Sequence, residues 1–351
     1  MTGAQSRRAA RTALFASRVG AFVRAGDWWD HKILPLLAVY VATTLVLRVP
    51  LARVWLSAAA LLAALSALAA FAALINDLCD ADDDRLAGKP NLLLRHSRPQ
   101  IFAALSAALA LGCAFAWLWR DDPALDACYL AAWAAFALYS LPPVRLKARG
   151  GWGVLAIAMG EAALPSLVGA QLCGHAAVAR APLPWLAAVA LWSFCHGTRA
   201  ILWHQLRDAA ADAHAAIDTF ARRHGVRTIR RIAAAAVFPA EIAALGAMLA
   251  MVGSVLPWLG LALYLCIILL RMRRRSSVPV LVDPVANHVL LMQDYYVYYL
   301  PVALIAAAAA RNRLDAIALL VWLALFPGAS LRVVRGPFRL LRRGLPRHGP
   351  K

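Results

Sequence analysis

Long apolar runs broken by short polar connections organise the chain from about residue 33 onward. Ten apolar segments begin near Ile33, Val54, Ile101, Leu125, Val154, Pro184, Ile232, Leu256, His288 and Leu314. Each runs for about 16–24 residues, the length that crosses a bilayer straight or tilted. None alternates polar and apolar positions as a membrane barrel strand must, and their Ala- and Leu-rich composition favours helix. The expected fold is therefore all-α, a polytopic bundle of nine or ten transmembrane helices. The count is nine where the pair between Ile232 and Arg271, joined by a very short turn, is taken as one.

Composition agrees, since 62% of the 351 residues are hydrophobic and the mean hydropathy is +0.65, beyond the range of ordinary soluble domains. A net charge of +19 would suit nucleic acid, but its distribution points to topology instead. With the N-terminus inside, 30 of the 37 Lys and Arg residues fall in cytoplasmic connections and tails, six outside, and Arg199 within a span. That bias is the positive-inside rule. It predicts an integral protein of a bacterial inner membrane, with both termini and the acidic loops cytoplasmic and no nucleic-acid partner. Residues 1–32, basic and without a long apolar core, read as a tail lying along anionic lipid rather than a transit peptide. Residues 33–332 form the membrane domain, and 333–351 a second basic tail. The six cysteines show no C-x-x-C spacing, so neither a disulfide framework nor a zinc site is expected.

The chemistry begins where the second apolar segment leaves the membrane. In "NDLCDADDDRLAGKP", Asp77, Asp80 and Asp84 stand at i, i+3 and i+7 on one face of a continuing helix. Carboxylates at a helix C-terminus oppose its dipole and repel one another. A divalent cation reverses that cost, and hard oxygen ligands beside a substrate phosphate describe Mg²⁺. Asp82 and Asp83 are expected to point away into solvent. A second acidic pair, Asp208 and Asp212 in "LRDAAADAH", follows the sixth segment and emerges on the same side. Two facing acidic stripes suit two or more Mg²⁺ ions clamping a diphosphate as it leaves carbon. Among the basic residues of that face, Lys89, Arg98, Arg145 and Lys147 are ranked first as phosphate contacts, the last two presented by the Pro142-Pro143 turn.

These motifs resemble those of the UbiA superfamily of intramembrane prenyltransferases. The N-D-x-x-D-x-x-x-D signature is met by Asn76, Asp77, Asp80 and Asp84. The D-x-x-x-D signature is met by Asp208 and Asp212, with Thr219 after it, and "YSLPPVRLK" resembles the family's loop after the fourth helix. The resemblance spans about Leu56 to Gly225. It departs at Lys89, where Arg is common, at Ala216 in place of glycine, at Asp218 beside Thr219, and at Gln100 after Arg98-Pro99. It implies a helical bundle around a central cavity, Mg²⁺ held by the five aspartates with Asn76 assisting, and transfer of a polyprenyl group from its diphosphate to an acceptor, commonly an aromatic ring. Related proteins cyclise prenyl diphosphates or move a sugar phosphate onto a prenyl phosphate, and these stay as alternatives.

Ionisable and polar groups inside the apolar segments are costly and mark function or pairing. Glu161, His196, Arg199, His204, Gln205, Glu241 and Asp294 are of this kind. His204 and Gln205 lie one turn from Asp208 and are substrate-binding candidates; Arg199 and Glu241 are expected to pair. Tyr139 is the candidate to steady a developing allylic cation. The run "YYVYY" after Asp294 reads as an interfacial anchor in preference to a tunnel lining. A transporter is the reading from a different class, but carriers place their charges near the midplane, whereas these acids cluster at the cytoplasmic mouths.

Overall fold

In the computed structural model, residues 19–86, 88, 91, 96–214, 217–274 and 277–332 are described. Helix α1 (Ile33–Leu47) is buried along most of its length and runs through the centre of the bundle. Around it stand α2 (Trp55–Leu86), α3 (Arg98–Trp119), α4 (Pro123–Ser140), α5 (Gly151–Ala176), α6 (Leu183–His214), α7 (Phe220–Val252) and α8 (Leu256–Arg273). After a short parallel pair, β1 (Val278–Val280) with β2 (His288–Leu290), the chain enters a π-helical stretch Tyr295–Tyr299. That stretch continues into α9 (Leu300–Arg311), and α10 (Ile317–Leu325) follows. Helices α5 and α9 pack on α1, α3 packs on α2, and α6 lies between α5 and α7.

Among the described residues, five helices, α2, α3, α5, α7 and α8, are long and apolar enough to cross a membrane. Trp117 and Leu118 on α3, and Leu263 and Leu269 on α8, face outward, as lipid contact requires. Local sequence explains the ends. Asp122 caps α4 by accepting from the amide of Leu125, and Ser97 with Gln100 forms a capping box on α3. Gly253 closes α7 at φ 62, so that α8 begins three residues later.

Two of the expected spans take a different form. The ninth does not begin as a helix at His288, because residues 288–290 pair with 278–280 as strand. The tenth is a helix of nine residues, rising about 14 Å, roughly half the hydrocarbon thickness. The YYVYY run is not an interfacial anchor. All five residues are buried, with the Tyr295 hydroxyl donating to the Pro257 carbonyl and that of Tyr296 to Glu241. A tyrosine whose hydroxyl finds an internal acceptor has no need of the interface. Arg199 and Glu241 pair as expected, through two 2.8 Å contacts with both side chains 0% exposed. The same guanidinium donates to the carbonyls of Leu281 and Leu291, so it fastens the strand segment to α6. Asp294 pairs with Arg271 at 2.8 Å.

Candidate functional site

One cavity of about 620 Å³ opens among α1, α2, α4, α5 and α6, well within the size range of ligand pockets. Its wall on α2 is a helical stripe that is apolar at Leu65, Leu68, Ala72 and Ala73 and turns polar at Asn76, Asp80, Asp83 and Asp84. The facing wall on α6 changes in the same way, from Ile201 through His204 and Gln205 to Asp208 and Asp212. The two acidic stripes therefore meet across one space whose inner part is hydrocarbon.

The arc of α2 facing the cavity is centred between Asn76 and Asp80, which brings in Asp83 and leaves Asp77 at its margin. Asp83, expected in solvent, lines the cavity and accepts from Arg145; Asp82, with its side chain 91% exposed, is the solvated one. Asp77 is buried and accepts from Arg24 at 2.6 Å. Asp80 is buried in contact with Lys147 and accepts from Arg145 at 3.2 Å. Asp84 accepts from Asn91, whose amide also bonds the Asp77 carbonyl. Asp208 accepts from Arg207 at 2.9 Å. Asn76 accepts from Ser140 at 3.5 Å, and Tyr139 lines the cavity next to it.

The remaining expected contacts divide. Lys147 lines the cavity and Arg145 reaches two of its acids. Burial lowers the Lys147 ammonium to about 8 against the weaker pull of Cys79 and Asp212, which still leaves the cation as the main form at neutral pH. Arg98 is exposed at the first turn of α3 and does not line the cavity. Lys89 lies outside the described residues. His204 faces the cavity and accepts from Arg207 at 3.0 Å. Gln205 is buried and caps α7 by accepting from the Ala221 amide.

The loops that carry these groups are tied to each other. Gly150, at φ 57, pairs with Thr219 in an isolated parallel bridge and donates to the Asp218 carbonyl at 3.1 Å. A Cβ on Gly153 would stand 2.8 Å from the Leu146 carbonyl oxygen and 3.0 Å from the Lys147 Cα, so its bare backbone lets the lysine loop lie down on α5. Arg145 itself sits in the left-handed region at φ 39, a strained setting for a residue that carries a Cβ.

The stretch before α1 belongs to the site. Residues 19–32, expected to lie along lipid, fold onto the cavity instead. Arg24 and Lys32 line it, Trp28 is buried, and the Trp29 indole donates to the Leu325 carbonyl at 3.0 Å. Lys32 pairs with Glu161 across the cavity at 2.8 Å.

The donors fit a hard cation in kind. Carboxylates from two walls share one space with the buried and unpartnered hydroxyl of Thr219, an all-oxygen set of the type Mg²⁺ prefers. Among the described residues no three His, Cys, Asp or Glu side chains are drawn together as a ligand cluster; basic side chains compensate Asp77, Asp80, Asp83 and Asp208. Residues 33–280 match the model of the UbiA prenyltransferase family. The chain belongs to that family. With five helices of spanning length, this UbiA family member is an integral membrane protein. Its fold is that of the UbiA homologue from Archaeoglobus fulgidus. The structure of that protein bound to DMAPP and Mg²⁺ and the one bound to GPP and Mg²⁺ each match at 18% identity and TM-score 0.52. Each covers 83% of this chain and 98% of the other. A third structure of the homologue matches at 17% identity and TM-score 0.50, covering 84% and 98%. No curated protein matches the sequence.

Proposed function

We propose that this protein transfers a polyprenyl group from its diphosphate to an acceptor, with Mg²⁺ as cofactor and diphosphate as the second product. The observation that carries the reading is the pair of acidic stripes on α2 and α6 at one end of a cavity that is apolar at the other. An amphiphile with an anionic head and a hydrocarbon tail matches that division. The Archaeoglobus fulgidus homologue, with DMAPP or GPP and Mg²⁺ bound, supports the same substrate class.

Asp77, Asp80, Asp84, Asp208 and Asp212, with Asn76, would hold Mg²⁺, and Asp83 joins them as a cavity-facing carboxylate. Bound Mg²⁺ supplies charge neutralisation for the leaving diphosphate. Lys147, Arg145 and Arg24, which compensate the aspartates in this structure, are the cations within reach of the diphosphate head. The prenyl tail lies against Leu36, Leu65 and Leu68, where water is excluded and the allylic cation is protected from hydrolysis. Tyr139 and Phe136 present aromatic rings beside the position of C1. Residues 33–332 with the preceding segment 19–32 form the catalytic unit, in a bacterial inner membrane with both termini and the acidic cavity mouth cytoplasmic. The acceptor is an electron-rich, commonly aromatic molecule.

The test is diphosphate release by the protein in lipid, with geranyl, farnesyl and geranylgeranyl diphosphates and a panel of aromatic acceptors. The Asp77→Ala, Asp208→Ala double variant is expected to lose turnover by at least about a thousandfold, in line with loss of electrostatic stabilisation at both walls. Full turnover in that variant would refute the reading.

A further inference from the structure

Two cavity-lining carboxylates belong to neither acidic stripe: Asp27, exposed before α1 and paired with Arg24 at 2.8 Å, and Glu161. Glu161 lies in the π-helical stretch Ala158–Ala163 of α5 and lines the cavity. A π-bulge re-aims the side chains it carries and recurs at functional sites. This one is clamped on both sides. A Cβ on Gly160 would come within 2.9 Å of the Ala135 Cβ on α4, and a Cβ on Gly197 of α6 within 2.8 Å of the Ala162 Cβ. The backbone beneath Glu161 therefore has no freedom to withdraw the carboxylate.

The depth of Glu161 in the cavity follows from its neighbours. Gly160 packs beside Ala135 and Phe136, one turn before Tyr139, and the adjacent Ser140 reaches Asn76. On α6, His204 stands one turn from Asp208, about 6 Å further toward the apolar end. Glu161 is thus at the level where the acidic end gives way to hydrocarbon. A prenyl C1 comes to that level when its diphosphate lies at the aspartates.

The other polar groups at this depth are poor proton acceptors. Arginine has donors only, so the 3.0 Å contact from Arg207 makes Nδ1 of His204 the acceptor and leaves the ring proton on Nε2. Tyr139 is a phenol, and Gln205 is occupied as the cap of α7. Glu161 has Lys32 as its counter-ion at 2.8 Å, which offsets the cost of placing a carboxylate there.

We infer that Glu161 is the catalytic base of the transfer step, an inference that rests on the prenyl-transfer reading. The C1–O bond of the prenyl diphosphate breaks with its electron pair leaving on diphosphate. An electron pair of the acceptor forms the new bond to C1, and the proton displaced from that acceptor atom moves to the Glu161 carboxylate. From there it reaches solvent past Lys32, whose side chain is 39% exposed. The acceptor this arrangement serves carries a hydrogen at its attacking atom, as a phenol or electron-rich ring does. A phosphate oxygen that is already ionised has none to give.

The experiment follows three products from geranylgeranyl diphosphate, Mg²⁺ and a panel of phenols in lipid: diphosphate, prenylated phenol and prenyl alcohol. Glu161→Gln is expected to bind geranylgeranyl diphosphate within about twofold of wild type by calorimetry. Its yield of prenylated phenol per diphosphate released should fall about a hundredfold, the usual scale of general-base catalysis, with prenyl alcohol taking its place. Glu161→Asp should recover part of the yield. A Glu161→Gln protein with the wild-type ratio of prenylated phenol to diphosphate overturns the inference alone. So does one whose loss of product is matched by an equal loss of diphosphate binding. A wild-type protein that releases no diphosphate with any phenol overturns the prenyl-transfer reading and this inference with it.

Discussion

Replacing Arg199 by methionine should destabilise the bundle more than removing its partner along with it. The guanidinium makes two 2.8 Å contacts to Glu241 and donates to the carbonyls of Leu281 and Leu291, all in a region where both side chains are 0% exposed. Arg199→Met leaves Glu241 buried with only the Tyr296 hydroxyl to solvate it. Breaking one side of a buried pair costs about 3–5 kcal/mol, and two carbonyls deprived of donors add about 1 kcal/mol. The expected loss is therefore about 4–6 kcal/mol. In Arg199→Met with Glu241→Met no charge is stranded, and most of the loss should return, to within about 2 kcal/mol of wild type. Equilibrium unfolding in mixed micelles, followed by tryptophan fluorescence, reads both. A single variant within about 1 kcal/mol of wild type would refute the reasoning, as would a double variant no more stable than the single.

Gly153→Ala places a Cβ 2.8 Å from the Leu146 carbonyl oxygen, so the loop bearing Lys147 must lift. Affinity for geranylgeranyl diphosphate with Mg²⁺ should fall about tenfold, or about 1.4 kcal/mol, and an unchanged Kd by calorimetry would contradict it. Arg24→Ala should weaken the same binding by a similar factor, because it removes a cavity-lining cation. Its effect on the unfolding free energy should stay at about 1 kcal/mol or less, since the pair is solvated from the side of the arginine, whose side chain is 40% exposed. A large stability loss with intact binding would reassign Arg24 to a structural role.

Much of this site was legible in the primary structure because α2 and α6 are continuous helices across the membrane boundary, so spacing converts directly into facing. Asn76, Asp80, Asp84, Asp208 and Asp212 all line one cavity for that reason. Helical phase is where that reasoning loses precision. A stripe drawn through Asp77, Asp80 and Asp84 and one drawn through Asn76, Asp80 and Asp83 differ by a small rotation, and only packing against α3 and the segment before α1 selects between them. Arg24, Lys32 and Asn91 were not legible, since each sits in a short irregular stretch whose direction is set by tertiary contacts. Trp29 and Trp28 carried the available signal, two adjacent tryptophans just before an apolar segment and expensive to leave in water. The burial of YYVYY follows from Glu241 and Pro257, partners 55 and 38 residues away, which no local pattern contains.

The Trp29 hydrogen bond to Leu325 has a consequence for biogenesis. It joins residues 296 apart in sequence, and the Trp29 and Phe326 rings lie 5.2 Å apart. A chain emerging from the ribosome has all of its cavity-lining residues well before it has α10, the element on which Trp29 rests. Domains fold largely in the order of synthesis, so the two acidic helices can assemble early while the Trp29 anchor of the segment bearing Arg24 and Lys32 waits for α10. The contacts of that segment to Asp77 and Glu161 draw on α2 and α5, which are synthesised early, so the late contact to Leu325 is the one that completes its seating.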